Sequence, residues 1–145
     1  MFTTRPVLSG TYGMVATTHW LATAAGMAVL ESGGTAADAA AAAGFALHVV
    51  EPHLNGPGGD MPLIVGKAGD PEPAVLCGQG TLPAAASTAR IRDEFGLTIV
   101  PGTGPLAATV PGAFGAWIEL LRAHGRLPLR DVLSYAIGYA ADGHP

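Results

Sequence analysis

The sequence predicts a mixed α/β (α+β) protein, and three observations support that class. Segments with helical periodicity alternate along the 145 residues with short apolar runs bounded by glycine or proline. Seven of the eight residues in 36–43 are alanine, which predicts a helix because alanine gives up no side-chain entropy when the backbone winds. Two apolar runs near the middle, 61–67 and 74–77, predict a pair of strands.

The segment before the alanine run is expected to contain a strand and a helix. Residues 13–17 form a short run typical of a buried strand, and Thr18 is placed to cap a helix that continues to Leu30. Gly33 and Gly34 follow, and glycine tolerates the left-handed backbone of a helix C-terminus. We therefore expect the helix to end there.

The alanine-rich helix is expected to begin at a cap and to end before a proline. Asp38 follows Thr35 by three residues, a spacing at which the hydroxyl caps the helix and the carboxylate lies beside the positive end of the dipole. Pro52 cannot continue the helix, which therefore ends at about Val50. A helix faced with methyl groups also lets other backbone approach closely.

The remaining elements are expected to be a hairpin and three helices. The glycine- and proline-containing linker 68–73 supplies the dihedral angles of a turn between the two strands. Helices are expected over 88–95, from Pro111 to Gly125, and over 129–141. The apolar stripe of the middle one is expected to consist of Phe114, Trp117, Ile118 and Leu121.

The composition indicates that part of the surface is covered by other polypeptide. Charged residues make up 12% of the sequence, about half of the ~25% usual in soluble domains. Hydrophobic residues reach 49%, and the mean hydropathy is +0.37. The alternative is a small alanine-rich protein with a tolerated apolar surface, because exposed apolar atoms are common.

Charge and hydropathy argue against nucleic-acid and membrane partners. The formal net charge is −4, and the basic residues are scattered along the chain. The longest apolar run, 39–47, is far shorter than the ~20 residues that span a bilayer. The N-terminus lacks the features of a signal peptide, so we expect a cytoplasmic protein, or a periplasmic or secreted one if a leader has been removed.

Metal and nucleotide motifs are incomplete. His48, Glu51 and His53 approach a zinc-protease motif, but the two histidines are five apart and Pro52 separates them. The glycine clusters lack the fingerprints of phosphate-binding loops, so we expect neither a metal nor a cofactor. Cys77 ends an apolar strand and has no histidine near it in sequence, so we expect a buried, unreactive thiol.

Seven blocks of residues carry a resemblance to a known family. They stand in the order 13–19, 30–39, 49–53, 56–59, 110–112, 124–128 and 140–145. In that order they resemble the beginning of the gamma-glutamyltransferase family, whose members are N-terminal nucleophile hydrolases. The family polypeptide is several times longer than this chain.

The resemblance implies a fold, a nucleophile and partners. The implied fold is the αββα four-layer sandwich, of which residues 1–145 form one incomplete domain, the N-terminal segment of the large subunit. The family's nucleophile is a threonine freed by autocatalytic cleavage, with its own α-amino group as base. Because that threonine begins the second subunit, no catalytic residue is expected in this chain. The implied partners are the remainder of the same precursor and a small-molecule amide substrate.

The residues expected to bind the substrate are Gln79, Gly58, Gly59 and Asp60. In typical gamma-glutamyl enzymes an arginine stands where this chain has Gln79, and it grips the α-carboxylate of the substrate. Glutamine offers a neutral amide instead. Because a hydrogen bond to a charged group contributes ~1.5–3 kcal/mol, loss of the arginine is expected to weaken binding of the carboxylate. The exchange therefore predicts a member of the amidohydrolase- or acylase-like branch.

The loop 56–60 has a functional and a structural interpretation. Successive glycines let backbone N–H groups face a cavity, and the resemblance places this loop close to the catalytic centre. The structural interpretation is a tight helix-to-strand connection that needs positive dihedral angles. Asp60 accordingly either holds a structural hydrogen bond or faces the substrate.

The sequence is also compatible with two other functions. One is an orthodox gamma-glutamyltransferase or glutathione hydrolase that recognises the carboxylate in a different way. The other is a non-catalytic domain that binds partners through its apolar faces. It predicts that the 145 residues alone fold cooperatively as a monomer, whereas an incomplete scaffold aggregates or depends on further chain.

Overall fold

The computed structural model describes residues 7–145, which form two compact units. The first consists of the described residues up to Asn55 together with Leu120–Pro145, and the second is Gly56–Glu119. Helices and a small sheet both occur, which confirms the mixed class predicted from the sequence.

The helices and strands follow one another along the chain in largely the predicted order. The helices are α1 (Trp20–Glu31), α2 (Ala36–Val50), α3 (Thr88–Asp93), α4 (Ala113–His124), α5 (Leu129–Val132) and α6 (Ser134–Asp142), with a 3-10 helix at Pro105–Ala107. The strands are β1 (Met61–Val65) and β2 (Ala74–Gly78). Among residues 7–145, no helix combines the length and the apolar character needed to cross a bilayer.

The first unit is built on the close pair of helices α1 and α2. A methyl group added at Gly26 would lie 2.9 Å from Val15 Cγ1 and 3.1 Å from the carbonyl oxygen of Ala39, so the two helices meet almost backbone to backbone. The alanine run makes this approach possible, as predicted. The core cluster consists of Ala22, Ala25, Ala43 and Ala46, with Leu47 and Tyr139 packed against it.

A buried carboxylate ties the N-terminus of α2 to the chain that follows α4. Asp38 is fully buried and forms the predicted capping box with Thr35. Its Oδ2 accepts from the backbone N–H of Thr35 at 2.8 Å and from the backbone N–H of Arg126 at 3.0 Å. The Thr35 hydroxyl also lies 2.9 Å from the carbonyl oxygen of His124. Only glycine fits at Gly125, because a methyl group there would lie 2.8 Å from Asp38 Oδ1.

The second unit contains the predicted hairpin. β1 and β2 pair antiparallel, with Met61 opposite Gly78 at one end, and the linker turns at Gly69, whose φ is +84°. One face of the hairpin packs against α4. On the other face the cross-strand partners Ile64 and Val75 are each 72% exposed. A two-stranded sheet with one bare apolar face is only marginally stable by itself.

Within this unit α4 covers the hairpin with small residues. Ala113 and Ala116 are buried, and a methyl group added at Gly78 would overlap the methyl group of Ala116. Phe114, expected in the buried stripe, is instead 51% exposed. The predicted stripe is therefore wrong at this position, because close contact with the hairpin selects alanine and leaves a bulky apolar residue outside.

Two predictions near the N-terminus are also wrong. Residues 13–17 form no strand, because no strand in the described part of the chain lies beside them to accept and donate their backbone hydrogen bonds. The cap of α1 is His19 rather than Thr18. The Nδ1 atom of His19 accepts from the backbone N–H of Leu21 at 3.2 Å.

The last predicted helix is interrupted. α5 ends at Val132 and is capped by Leu133, and the hydroxyl of the following Ser134 donates to the carbonyl oxygen of Asp131 at 2.8 Å. A serine that bonds to a carbonyl three residues earlier competes with the helical hydrogen bonds. α6 begins at the next residue, so the position of the helix was predicted correctly and its continuity was not.

Candidate functional site

The predicted substrate-binding residues lie at one end of the hairpin in the second unit. Asp60 directly precedes Met61, Gln79 directly follows Gly78, and the register pairs Met61 with Gly78. Antiparallel pairing therefore brings Asp60 and Gln79 to adjacent positions although they are distant in sequence. The glycine loop enters the hairpin at the same end.

The backbone around Gln79 is held by contacts that only glycine permits. A methyl group added at Gly80 would overlap the carbonyl oxygen of Val110. One added at Gly112 would overlap the carbonyl oxygen of Gly78 and lie 3.0 Å from the carbonyl carbon of Gln79. The chain on both sides of Gln79 is thus pressed against the segment that leads into α4.

The same segment is bonded to the glycine loop. The carbonyl oxygen of Gly59 accepts from the backbone N–H groups of Gly112 at 3.1 Å and of Ala113 at 3.0 Å. These N–H groups belong to the set that a helix leaves without internal partners at its N-terminus. Gly112 therefore contacts both candidate segments, since it bonds to Gly59 and packs against Gln79.

Backbone conformation does not explain the glycines of the loop. The glycines with positive φ in the described chain are 33, 69, 96, 104 and 143, so the expected positive dihedral angles are wrong for Gly58 and Gly59. A methyl group added at Gly58 would meet no described atom within 4 Å, and one at Gly59 would make an ordinary contact of 3.4 Å with the Gly56 carbonyl oxygen. Without side chains at Gly58 and Gly59, the backbone groups of the loop are not shielded by side-chain atoms of these two residues.

Cys77 lies beside Gln79, and the prediction that its thiol is buried is wrong. Side chains two residues apart in a strand leave the same face, and both residues are exposed. The Cys77 thiol donates to Oε1 of Gln79, with 3.7 Å between sulfur and oxygen. The thiol is accessible because α4 covers the opposite face of the hairpin.

The side chains at this end of the hairpin offer a neutral amide and a carboxylate. Gln79 can donate to a carbonyl or carboxylate oxygen, and Asp60 can accept from an amide N–H. Lys67, the basic residue nearest to Asp60 in sequence, follows the opposite end of β1. The arrangement suits recognition of a small molecule that carries both donors and acceptors.

Sequence reasoning did not identify the contacts made by Gly80 and Gly112. Two glycines flanking a polar residue, and a glycine just before a helix, are signals of close backbone approach. Those signals do not say which segment approaches. Only the folded chain shows that the two glycines belong to one contact around Gln79.

Comparison with known proteins establishes the family. Residues 22–145 match the family model described as gamma-glutamyltranspeptidase, and the chain belongs to this family. The oxamate amidohydrolase proenzyme of Klebsiella pneumoniae is 43% identical over 93% of this chain and 26% of its own length. The glutathione hydrolase proenzyme of Bacillus subtilis is 34% identical over 94% of this chain and 24% of its own length.

Solved structures lead to the same family. The structure of LmbA2991HD is 63% identical, with a TM-score of 0.92, and the match covers 99% of this chain and 24% of that one. Acylases are among the other relatives, so the predicted resemblance, including its amidohydrolase- and acylase-like branch, is confirmed. The chain spans about a quarter of the length of these relatives.

Proposed function

We propose that this chain is the N-terminal part of the large subunit of an amide hydrolase or acyltransferase. It supplies scaffold and part of the substrate pocket, and a threonine at the N-terminus of a second subunit is the nucleophile. That threonine attacks the amide carbonyl and expels the amine, and water or an amine acceptor then releases the acyl group. The word proenzyme in the names of the relatives supports a precursor that is cleaved.

Gln79 is the observation that carries the proposal. It stands at the end of β2 beside Asp60, where the resemblance to gamma-glutamyl enzymes leads one to expect an arginine. A neutral amide binds a carboxylate more weakly than a guanidinium does, which disfavours a gamma-glutamyl donor. We therefore propose a small amide as substrate, and oxamate, named in one relative, is the first compound to test.

The hairpin supports the four-layer sandwich as the complete fold. α4 covers one face of it, and the exposed pair Ile64 and Val75 lies on the other. A helix layer on one side and a bare apolar sheet face on the other correspond to one half of an αββα arrangement. We propose that the remainder of the precursor completes the sheet and supplies the second half.

The full-length protein tests the proposal directly. It should be cleaved into two subunits, and it should hydrolyse oxamate or simple acyl amides faster than a gamma-glutamyl anilide. A strong preference for the anilide would instead support an orthodox gamma-glutamyltransferase. Absence of both cleavage and hydrolysis would support a non-catalytic binding domain.

Gln79→Arg is the sharper test of the site. We expect it to raise kcat/KM for the gamma-glutamyl anilide about tenfold to a hundredfold, because it restores a charged donor for the α-carboxylate. Gln79→Met, which keeps the length and removes the hydrogen bonds, is the matched control and should not raise it. Equal activity of both variants and the wild type on the anilide would contradict the role of Gln79.

A further inference from the structure

We propose that Cys77 is a positioning residue that orients the side chain of Gln79 toward the substrate. The inference rests on the proposed function, in which Gln79 contacts the substrate. Its structural basis is the contact of 3.7 Å between the Cys77 sulfur and Oε1 of Gln79.

The contact determines which end of the carboxamide is free. A thiol has one proton to donate, and Oε1 is its acceptor, so the NH2 group of Gln79 is directed away from Cys77. An NH2 group facing outward donates to a carbonyl or carboxylate oxygen of an amide substrate. With the carboxamide turned the other way, Oε1 of Gln79 would instead face that carbonyl or carboxylate oxygen of the substrate.

The other neighbours of Cys77 on this face of the hairpin do not compete for Gln79. Val75 precedes it along the strand, and Pro62 is its cross-strand partner. Neither side chain has a hydrogen-bonding group. Among Cys77, Val75 and Pro62, Cys77 is therefore the residue whose side chain can donate a hydrogen bond to Oε1 of Gln79.

Because the main chain of Gln79 is held in place, the orientation of its side chain is what a neighbouring residue can still change. Gly80 and Gly112 hold the main chain of Gln79 against the segment before α4, so the main chain has little room to adjust. The torsions of the Gln79 side chain stay free unless a neighbour restricts them, and ordering them on binding costs affinity. A preformed contact with the thiol lowers that cost.

Substitution of Cys77 in the full-length, processed enzyme tests the proposal. We expect Cys77→Ala to raise KM for the best amide substrate about three- to tenfold while kcat stays within about twofold, because a thiol is a weak donor. Cys77→Ser retains a donor of similar reach and should keep KM within about twofold of the wild type. An unchanged KM in Cys77→Ala would overturn the proposal.

A double-mutant cycle separates positioning from a structural role. In a Gln79→Ala background, Cys77→Ala should cause no further rise in KM, because its effect acts through Gln79. An equal rise in both backgrounds would overturn the proposal. If Gln79→Ala raises KM and Cys77→Ala does not, this inference alone fails. If Gln79→Ala leaves KM unchanged, the proposed role of Gln79 in the site fails as well.

Alkylation gives a readout that a structural role would not produce. Cys77 lies two residues nearer than Val75 to the end of the hairpin where the substrate is proposed to bind, so its thiol should stay accessible in the full-length enzyme. Iodoacetamide should raise KM of the wild type at least as much as Cys77→Ala does, and it should leave KM of Cys77→Ser unchanged. A saturating amide substrate should slow labelling of Cys77, followed by peptide mass spectrometry. Labelling at the same rate with and without substrate would overturn the proposal.

Discussion

Asp38 shows how one buried side chain organises the first unit. Both of its oxygens accept backbone hydrogen bonds, from Thr35 within the cap of α2 and from Arg126 in a distant part of the sequence. A fully buried carboxylate would be costly without such donors. The cap was predictable from the spacing of Thr35 and Asp38, whereas the contact with Arg126 was not, because it depends on where α4 ends.

Replacing Asp38 should therefore destabilise the protein strongly. Asp38→Asn keeps the volume but places an NH2 group among N–H donors, so we expect the free energy of unfolding to fall by about 2–4 kcal/mol. Urea unfolding of the full-length protein measures it. Asp93→Asn, exposed at the end of α3, is the control and should change it by less than about 0.5 kcal/mol. Comparable losses in the two variants would refute this account.

His48 should make the stability depend on pH. Burial lowers its pKa from the usual 6.5, because desolvation disfavours the charged imidazolium. Below about pH 6.5 the unfolded chain then binds more protons than the folded one. The contribution of neutral His48 to the free energy of unfolding is therefore fully present above this pH and is lost as the pH decreases. His48→Gln should flatten the loss of stability between about pH 7 and pH 5, measured by urea unfolding. His53→Gln, at an exposed position, should not, and a slope unchanged by His48→Gln would count against this assignment.

At the scale of elements, the contact around Gln79 depends on glycine in a position-specific way. Gly80→Ala forces a methyl group into the carbonyl oxygen of Val110, whereas Gly58→Ala meets no described atom and requires no positive φ. We expect Gly80→Ala to cost more than about 3 kcal/mol, or to prevent accumulation of folded protein, and Gly58→Ala to cost less than about 1 kcal/mol. Thermal unfolding and soluble yield of the two full-length variants measure this difference. Similar stability and yield of both variants would show that the close contact between Gly80 and the carbonyl oxygen of Val110 does not stabilise the fold.

The sequence predicted the existence of nearly every element but not which face each would bury. The alanine run, the cap at Thr35 and the hairpin linker are local signals, and each was placed correctly. For α4, helical periodicity favoured the large residues, yet the hairpin selected Ala113 and Ala116. Periodicity identifies an apolar face, but the neighbour that packs against it decides which apolar residues are buried.

At the scale of the whole molecule, much apolar surface remains exposed. Trp20 and Leu82 are each 65% exposed, in addition to the bare face of the hairpin. The low content of charged residues in the sequence predicts such a surface. Exposed apolar residues occur in each of the two units.

The isolated 145-residue chain should therefore self-associate. We expect sedimentation velocity to show oligomers or aggregates, and we expect Ile64→Thr combined with Val75→Thr to reduce them, because the pair forms an exposed apolar patch on the hairpin. Val7→Thr, at a 92% exposed position outside the hairpin, is the control and should have little effect. A monodisperse monomer that melts in one sharp transition would contradict both this expectation and the proposed incomplete scaffold.

The sequence by itself determined the mixed fold class, the capped alanine helix, the hairpin and the family, because each is carried by residue type and spacing along the chain. Tertiary structure decided that Asp60 and Gln79 share one end of the hairpin, that Gly112 joins both candidate segments, and that Cys77 faces outward. These features depend on strand register and on the side from which α4 packs. Register and packing arise from contacts between residues distant in sequence, which local propensity does not encode.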